Sequence, residues 1–315
     1  MKGLTDIPGI RVGHVSDFDA LTGCTAILCE SGAVGGVDIR GSASGTQEVD
    51  VLNPLHVTDK VHAILLAGGS AFGLEAAAGV RRYLAGRKVG FAFGGQHIPI
   101  VPAAILFDLG IAKPGVHPTV AMGEAAAAGA TTDAVQEGCV GAGTGATVGK
   151  LFGMKRAMKS GIGSWTVTLP GGVLVSALAA VNALGDVRDP ATGKLVAGLR
   201  QSADSRELAD TEAEMKRGAA IGARTGNTTL AVVATNAKLS KVQTNKLAQF
   251  SNLAVTRTIY PVNTTVDGDT AFALSCGDLQ ADLDTLGVAA AEALAQSILR
   301  AVRLAKTMAA VPGLA

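Results

Sequence analysis

The chain has 315 residues, a length for one large or two ordinary domains; 48% are hydrophobic, and the mean hydropathy is +0.35. It carries 27 basic and 26 acidic residues, and only 3% of its residues are aromatic. This composition supplies neither a basic surface for phosphates nor rings for base stacking, so it argues against a nucleic-acid partner. Since no uncharged apolar run reaches membrane-spanning length and no signal-peptide pattern follows Met1, we expect no membrane partner and a cytoplasmic location.

Glycine and cysteine are the residue types whose usage is most informative. Glycine accounts for 41 residues, nearly twice its usual share of about 7%, which in so apolar a chain indicates tight turns and close backbone approach. The four cysteines form no CxxC pair, and no histidine spacing typical of metal sites accompanies them. We therefore expect free thiols in a reducing compartment, and neither a metal nor a cofactor. The cysteines are Cys24, Cys29, Cys139 and Cys276.

The first half of the chain alternates strand-like runs with two helical segments. Apolar runs predict strands at residues 10–15, 25–29, 33–40, 61–67, 89–93 and 103–107. After the strand at 61–67, a glycine turn leads into a helix at about 71–84, with Ser70 as its candidate cap. A second, alanine-rich helix is predicted at about 122–130. The apolar face of the first helix carries Phe72, Ala76, Val80 and Tyr83.

The second half begins with long strand-like runs near 161–169 and 172–184, followed by polar residues from 186 to 226. Asp204 and Glu207 have capping-box spacing for a short helix that reaches about residue 217. The same spacing recurs at Ser240 and Gln243, before a helix whose inner face carries Leu247, Phe250 and Ala254. Further strands are expected after 228 and at 270–275, and a last helix at about 286–308. The apolar stripe of the last helix consists of Val288, Ala291, Ala295, Ile298, Val302 and Ala305.

Neither a repeat nor a break in composition divides the chain, so we expect a single domain over residues 1–315. Several strands follow one another without an intervening helix, which argues against a doubly wound fold. The pattern instead predicts an α/β fold of layered sheets covered by helices, in which two central sheets form a sandwich.

The stretch Gly226-Asn227-Thr228-Thr229 is the first candidate for chemistry. A polar segment that we expect to be mobile leads up to it, and a β-branched strand follows it. Thr228 therefore opens a strand behind a flexible Gly-Asn pair. A hydroxyl in this place can attack the peptide bond before it and then act from a new N-terminus. The plain alternative is a threonine that opens a strand because of its β-propensity.

The glycine-rich loop Gly141–Lys150 invites a phosphate-binding interpretation, which its spacing does not support. A Walker loop needs glycine where Thr144 stands, and serine or threonine where Leu151 stands. The remaining alternatives are that the glycines bring the Lys150 ammonium to a site, or that the loop is a strand connection with a solvated lysine.

Serine-hydrolase patterns also fail. The turn at Gly68-Gly69-Ser70 has Phe72 where a nucleophile elbow needs glycine, so Ser70 is better explained as a helix cap. None of the five histidines is a candidate base or ligand, because they are scattered without motif spacing. A hydrolase with this sequence therefore needs a mechanism without histidine.

Asp267 and Asp269 form the second candidate, because two carboxylates two residues apart at the entry of a strand point to the same side. Like charges this close raise the pKa of one of them unless a cation or hydrogen-bond donors intervene. The alternative is an Asp-Gly turn with solvated carboxylates. A calcium loop would need more oxygen ligands than the sequence offers here.

Taken together, these motifs resemble a family of self-processing amide hydrolases. The family contains the D-aminopeptidase DmpA, the β-peptidyl aminopeptidases and the nylon-oligomer hydrolase, and is known as peptidase family S58. The resemblance runs through nearly the whole chain. The segments that carry it are Ile7–His14, Val37–Gly41, Leu66–Leu74, Val101–Asp108, Gly141–Lys150, Gly226–Thr229 and Asp267–Thr270.

The resemblance implies an αββα sandwich of the N-terminal-nucleophile type and cleavage of the chain before its nucleophile. Thr228 would be that nucleophile, which divides the protein into an α chain of residues 1–227, ending at Asn227, and a β chain of residues 228–315. The other positions that match the site of the family's threonine branch are Lys150, Asn182, Asp267 and Asp269.

Two positions bear on the branch and on the substrate. Phe107 matches a tyrosine of the nylon hydrolase, so a hydroxyl contact to the substrate would be lost here. The serine aminopeptidases have serine and glutamate where this chain has Asp267 and Asp269, so the resemblance leans to the threonine branch. It implies short peptides or oligoamides such as those of 6-aminohexanoate as substrates, and a homo-oligomer, a dimer or tetramer of processed units.

A threonine at a new N-terminus explains the absence of a histidine motif. Its freed α-amine, with an ordinary pKa of about 7.7–8.0, can serve as the base for its own hydroxyl. Lys150 would lower that pKa, Asp267 and Asp269 would orient Thr228 and balance Lys150, and Asn182 would donate to the oxyanion. The alternatives are a glycine-loop ligand-binding protein without chemistry and a catalytically silent assembly subunit on the same fold.

Overall fold

The structure is a computed structural model that describes residues 1–221 and 226–315. The helices are α1 (Ala76–Gly86), α2 (Val120–Ala128), α3 (Thr211–Lys216), α4 (Lys241–Thr258) and α5 (Leu283–Arg303). The strands are β1 (Arg11–Asp17), β2 (Thr22–Ile39), β3 (Thr46–Gln47), β4 (Lys60–Ala67), β5 (Phe91–Phe93), β6 (Gln96–Ile98), β7 (Ala103–Ile105), β8 (Thr147–Val148), β9 (Met158–Lys159), β10 (Ile162–Thr168), β11 (Leu174–Asn182), β12 (Asp186–Arg188), β13 (Leu195–Ala197), β14 (Thr228–Ala237), β15 (Ile259–Tyr260) and β16 (Thr270–Leu279).

The principal sheet of the described chain has nine strands in the order β10-β11-β14-β16-β2-β4-β7-β3, with β1 also paired to β2. Strands β14 and β16 are parallel, as are β4 and β7, and the other pairs are antiparallel. β2 is 18 residues long, and its pairing with β4 shifts register between Leu28 and Ala33. One sheet thus contains strands from both sides of the predicted cleavage point. The two that follow that point, β14 and β16, lie side by side between β11 and β2, which precede it.

Side chains alternate along the strands to form three apolar layers. In β2, Ile27 packs in the central layer, whereas Cys24, Ala26 and Leu28 pack with α1 and α2. In β14, Leu230 packs in the same central layer as Ile27, and the next residue faces α4 and α5. The central layer is therefore enclosed between two halves of the sheet, each covered by helices on its outer side. This confirms the predicted αββα sandwich, with the difference that its two β layers belong to one continuous hydrogen-bonded sheet.

Glycine allows the helices of the outer layer to approach each other closely. An added Cβ on Gly79 of α1 would lie 1.9 Å from the carbonyl oxygen of Val120, and one on Gly123 of α2 would lie 1.9 Å from that of Ala76. Backbones can meet at this distance only where no side chain stands between them. The high glycine content therefore reflects close packing, as the composition predicts.

Several predicted elements are confirmed with shifted ends, and two helix starts differ. Residues Ser70–Glu75 form a 3-10 turn, the α-helix begins only at Ala76, and Phe72 is consequently 64% exposed. Ser70 is not the cap: it is the first residue inside the turn, and Gly69, in the left-handed region, occupies the cap position without a side-chain hydrogen bond. The capping-box prediction for Ser240 and Gln243 is confirmed, with both reciprocal hydrogen bonds present.

The prediction of a helix start at Asp204 and Glu207 is wrong. The helix is α3, and Asp210 caps it by accepting a hydrogen bond from the N–H of Ala213 at 3.0 Å. The stripe of α5 is also narrower than predicted, since Val288 is 73% exposed. By length and composition alone α5 could cross a membrane, but 72% of its apolar window is buried against the sheet and α4. Of the polar segment before Gly226 that was predicted to be mobile, residues 222–225 lie outside the described residues, and the part before them contains β12, β13 and α3.

Candidate active site

Thr228 is the first residue of β14, an interior strand of the sheet, and it faces Asn182 across the β11–β14 ladder. Its side chain is buried, with 3% of its surface exposed. The hydroxyl donates a hydrogen bond to the carbonyl oxygen of Asn227 at 2.5 Å. The predicted nucleophile therefore lies against the peptide bond that it is predicted to cut.

The carbonyl oxygen of Asn227 has a second donor, which is the backbone N–H of Gly268 at 2.8 Å. A parallel bridge between Asn227 and Asp267 holds the two segments together. A backbone N–H directed at a carbonyl oxygen is the type of group that stabilises an oxyanion when the carbonyl is attacked. From the sequence, Gly268 was only the turn residue between two carboxylates. Its role as a donor could not be predicted, because nearly every residue type has a backbone N–H.

Gly268 also provides the space in which the hydroxyl lies, so we predict that Gly268→Ala slows self-cleavage. An added Cβ would lie 2.8 Å from both Thr228 Oγ1 and the carbonyl oxygen of Ala43, closer than real Cβ contacts. Displacement of a reacting group by a fraction of an ångström should slow processing on the order of 10- to 100-fold. A time course of chain cleavage on a denaturing gel measures this.

The matched control is Gly86→Ala at the end of α1, where nothing lies within 4 Å of the added Cβ. It should process at the wild-type rate. Wild-type processing in Gly268→Ala would contradict the placement of the hydroxyl beside this turn.

Lys150 follows the glycine-rich loop and β8, and its side chain is 2% exposed. Its Nζ donates to the backbone oxygen of Asn182 at 2.9 Å, to Asn182 Oδ1 at 2.9 Å and to the carbonyl oxygen of Gly226 at 3.0 Å. Three acceptors match the three N–H bonds of an ammonium. Burial lowers the pKa of Lys150 to about 7, against the opposing charges of Asp267 and Asp269. The solvated-lysine alternative for this loop is thus wrong.

Asn182 ends β11 and is fully buried. Its Oδ1 also accepts from the N–H of Thr147 at 3.1 Å, and its Nδ2 donates to the backbone oxygens of Phe107 at 3.0 Å and Gly226 at 3.3 Å. In the uncleaved chain the amide therefore contacts the carbonyl one residue before the scissile one. Its role as oxyanion donor stays a prediction.

Asp267 and Asp269 are both 1% exposed, so the alternative of solvated carboxylates is wrong. Asp267 Oδ2 accepts from the N–H of Thr264 at 2.8 Å, and Asp269 Oδ1 accepts from the N–H of Thr229 at 2.6 Å. Burial raises the pKa of Asp267, and burial followed by the charge of Asp267 raises the pKa of Asp269 to about 7. In the described chain neither carboxylate forms an ion pair within 4.0 Å of Lys150, so they act on it across a longer distance.

Asp108 is a residue that the sequence analysis did not single out. It is 2% exposed, its Oδ1 accepts from the N–H of Gly69 at 2.7 Å, and burial raises its pKa to about 6. A Cβ on Gly68 or Gly145 would lie 2.1 Å or 2.8 Å from its Oδ2. Asp108 thus joins the turn before α1 to the glycine-rich loop, and its charge favours the charged form of Lys150.

Phe107 is 39% exposed and packs its Cβ and ring against Gly226. Together they border a cavity of about 120 Å³. The cavity is also lined by Asp108, Gly110, Ile111, Thr147, Lys150 and Met154. Phe107 thus offers an apolar, partly exposed surface to this cavity, and its contact with a substrate stays a prediction.

Comparison with known families gives one match over nearly the whole chain. The profile of peptidase family S58 matches residues 2–314. Among the relatives, a protein named as an uncharacterized aminopeptidase of Mycobacterium bovis is 38% identical over 340 residues, covering 99% of this chain and 96% of the relative. The 6-aminohexanoate-oligomer endohydrolase of Kocuria sp. is 31% identical over 316 residues, covering 95% of this chain and 85% of that enzyme.

Solved structures share the fold. A β-aminopeptidase of Burkholderia sp. superposes with a TM-score of 0.70 at 22% identity, covering 100% of this chain and 91% of that one. The L-aminopeptidase D-Ala-esterase/amidase of Ochrobactrum anthropi, described as a variant of the Ntn hydrolase fold, gives a TM-score of 0.71 at 18% identity, with 98% and 87% covered. The αββα sandwich described above is accordingly the N-terminal-nucleophile type of fold.

Proposed function

The chain belongs to peptidase family S58, a family of hydrolases that act on peptide or related amide bonds, and on this premise we propose that it is a self-processing amide hydrolase with Thr228 as its nucleophile. The proposal rests on one observation above all. The Thr228 hydroxyl lies 2.5 Å from the carbonyl oxygen of Asn227, and the Gly268 N–H already donates to the same oxygen.

The proposed self-cleavage moves one acyl group and then consumes one water. Thr228 Oγ attacks the carbonyl carbon of Asn227, the C–N bond breaks, and the hydroxyl proton passes to the released nitrogen. Negative charge on the oxygen is stabilised by the N–H of Gly268. Water then hydrolyses the ester, which leaves a carboxylate on Asn227 and a free amine and hydroxyl on Thr228.

In the processed enzyme the new α-amine would take over as general base. Its ordinary pKa is about 7.7–8.0, and a buried ammonium nearby lowers it further, so that a useful fraction is neutral near pH 7. The Lys150 ammonium lies within hydrogen-bond distance of Gly226, two residues before Thr228, and can act in this way. The Asp269 carboxylate fixes the backbone directly after the nucleophile through the N–H of Thr229.

The substrates proposed are short peptides or oligoamides. The relatives support this range, since one is named an aminopeptidase and another an endohydrolase of 6-aminohexanoate oligomers. The alternative is a protein on the same fold that binds a ligand or a partner without chemistry. Three buried ionisable side chains near one peptide bond, those of Lys150, Asp267 and Asp269, disfavour this alternative. Burying such groups costs free energy, and clusters of them are typical of functional sites.

A denaturing gel of the purified wild-type protein tests the proposal. At 31.5 kDa for 315 residues, chains of residues 1–227 and 228–315 should run near about 23 and about 9 kDa. N-terminal sequencing of the smaller chain should begin Thr-Thr-Leu. A single 31.5 kDa band that persists at neutral pH would contradict self-processing.

A further inference from the structure

We propose that Lys150 and Asn182 form a binding subsite for the second carbonyl group of the substrate, the one that lies one α-amino-acid residue before the scissile bond. The enzyme would then prefer internal or N-acylated α-peptide bonds to bonds that follow a free amino terminus. This inference rests on the proposed function and names the substrate class of the same site.

The uncleaved chain displays such a carbonyl in place. Lys150 Nζ and Asn182 Nδ2 both donate to the oxygen of Gly226, at 3.0 and 3.3 Å. The carbonyl of Gly226 is the one directly before the scissile carbonyl of Asn227 in the chain. The two carbonyls therefore have the spacing found in an α-peptide. The segment before Thr228 thus occupies the acyl side of the site as a substrate would.

The two donors are held in position without Gly226. The other two N–H bonds of Lys150 are directed at the backbone oxygen and the Oδ1 of Asn182. Asn182 in turn is fixed by the N–H of Thr147 and by the backbone oxygen of Phe107. When the Gly226 carbonyl leaves after cleavage, one buried N–H on each side chain loses its partner. Because an unpaired buried donor is costly, a substrate carbonyl that restores both bonds is favoured.

The charge at this place opposes a free amino terminus. A substrate with only one residue on its acyl side would carry an ammonium where the N–H of Asn227 now lies. That nitrogen lies within roughly 5 Å of Lys150 Nζ, since an amide nitrogen is little more than 2 Å from its carbonyl oxygen. Two cations at this distance in a buried site repel each other.

Each of the three nearby carboxylates accepts at least one hydrogen bond from the protein. Asp267 accepts from Thr264, Asp269 accepts from Thr229 and Asn263, and Asp108 accepts from Gly69. Asp108 Oδ2 has no hydrogen-bond partner in the described chain, and Asp108 lines the cavity beside Gly226. The preference for an acylated nitrogen therefore rests on the two hydrogen bonds to the Gly226 carbonyl and on the adjacent Lys150 ammonium.

The space beyond the subsite suits a longer acyl group. The cavity of about 120 Å³ beside Gly226 shares Gly110, Ile111 and Met154 with a second cavity of about 390 Å³. The second cavity continues towards the 200–204 turn and residues 309–311. A substrate that extends beyond the second carbonyl accordingly has an open cleft to occupy.

Paired chromogenic substrates test the inference on the processed wild-type enzyme. Alanyl p-nitroanilide and N-acetylalanyl p-nitroanilide share the scissile bond and the leaving group, and only the second has the upstream carbonyl. We expect kcat/KM to be at least about tenfold higher for the acetylated substrate, since restoring two buried hydrogen bonds is worth that much. The corresponding β-alanyl pair should show a smaller gain, because an extra methylene moves the carbonyl away from the donors.

The variants Asn182→Ala and Asn252→Ala separate the subsite from general effects of losing a buried asparagine. Both side chains are buried, but Asn252 lies on α4 and its Nδ2 donates to Asp38. Asn182→Ala should bring the acetyl-to-free ratio close to one, whereas Asn252→Ala should keep the wild-type ratio. The ratio compares two substrates on one enzyme preparation, so it is independent of the fraction that folds.

The outcomes distinguish this inference from the proposed function. Preference of the wild-type enzyme for the free-amine substrate, or a ratio near one, overturns the subsite while leaving the hydrolase in place. A wild-type ratio that survives in Asn182→Ala overturns its assignment to that residue. A processed enzyme that cleaves neither substrate nor any oligoamide overturns the proposed function, and the subsite with it.

Discussion

Replacing Thr228 with alanine should leave one uncleaved chain of 31.5 kDa without amide hydrolase activity. The substitution removes Thr228 Oγ1, the proposed nucleophile, which donates to the oxygen of the scissile carbonyl. Without it neither the ester nor the new N-terminus forms, so the nucleophile and its base are lost together. Loss of a nucleophile in hydrolases reduces kcat on the order of 10⁴- to 10⁶-fold, and we expect a loss of this size here. A gel and an assay on short peptide amides measure the two effects.

Two further variants show whether the hydroxyl is responsible. Thr228→Ser keeps the oxygen and should still process. Thr229→Val is the matched control, since Thr229 is also a buried threonine at the start of β14 and its hydroxyl does not contact the scissile carbonyl in the described part of the chain. It should process and hydrolyse like the wild type. Processing in Thr228→Ala, or its loss in Thr229→Val with the fold intact, would assign the reaction to another group.

Cleavage before Thr228 is compatible with the fold because the two resulting chains share one sheet. Strands β14 and β16 of the C-terminal chain pair with β11 and β2 of the N-terminal chain. The central apolar layer also draws side chains from both, for example Ile27 and Leu230. The scissile bond directly precedes the first residue of β14, so cutting it leaves this interior strand and its pairing with β11 and β16 intact. The processed chains should therefore stay associated under native conditions.

The sequence predicts best those features that depend on neighbouring residues. The β-branched run after Thr228 forms β14, and the Ser240–Gln243 box starts α4, because both signals act within one element. The Asp204–Glu207 box failed for a related reason. Asp210 directly precedes the helix that does form and accepts from the free N–H of Ala213 in its first turn, so the spacing of Asp204 and Glu207 did not fix the helix start.

Features that depend on tertiary contacts could not be predicted from the residues alone. Asn182 was identified through family resemblance, but its pairing opposite Thr228 follows from a register between strands 46 positions apart. The low pKa of Lys150 comes from burial under strands far along the chain, which no local pattern encodes. Likewise the donor to the Asn227 carbonyl is a backbone N–H, and every residue except proline offers one.

Lys150→Met should slow both self-cleavage and substrate hydrolysis. Methionine fills a similar volume without charge or N–H donors, so Gly226 and Asn182 lose the contacts that hold the scissile segment. We expect processing and turnover to fall about 100-fold, the size typical of losing one preorganised donor or charge. Cell-free synthesis followed by a chase measures processing directly, before any mature enzyme accumulates.

The rate of processing as a function of pH should distinguish Lys150→Met from the wild type. Because burial lowers the pKa of Lys150 to about 7, its ammonium is present below pH 7 and is lost as the pH rises through that value. Before cleavage there is no α-amine, so a role for the ammonium should make wild-type processing slow above pH 7. Lys150→Met should lack this decline. Asp269 has a pKa raised to about 7 by burial and by Asp267, so Asp269→Asn is needed to exclude it as the source.

Lys159→Met is the matched control for the loss of a buried lysine. Lys159 is fully buried, donates to the backbone oxygens of Ala146 and Ser160, and has a pKa lowered to about 8 by burial. It supports the same glycine-rich loop without touching the scissile segment. Lys159→Met should change the thermal unfolding midpoint but keep the decline above pH 7. A decline that persists in Lys150→Met, or vanishes in Lys159→Met, would show that the titrating group is not the Lys150 ammonium.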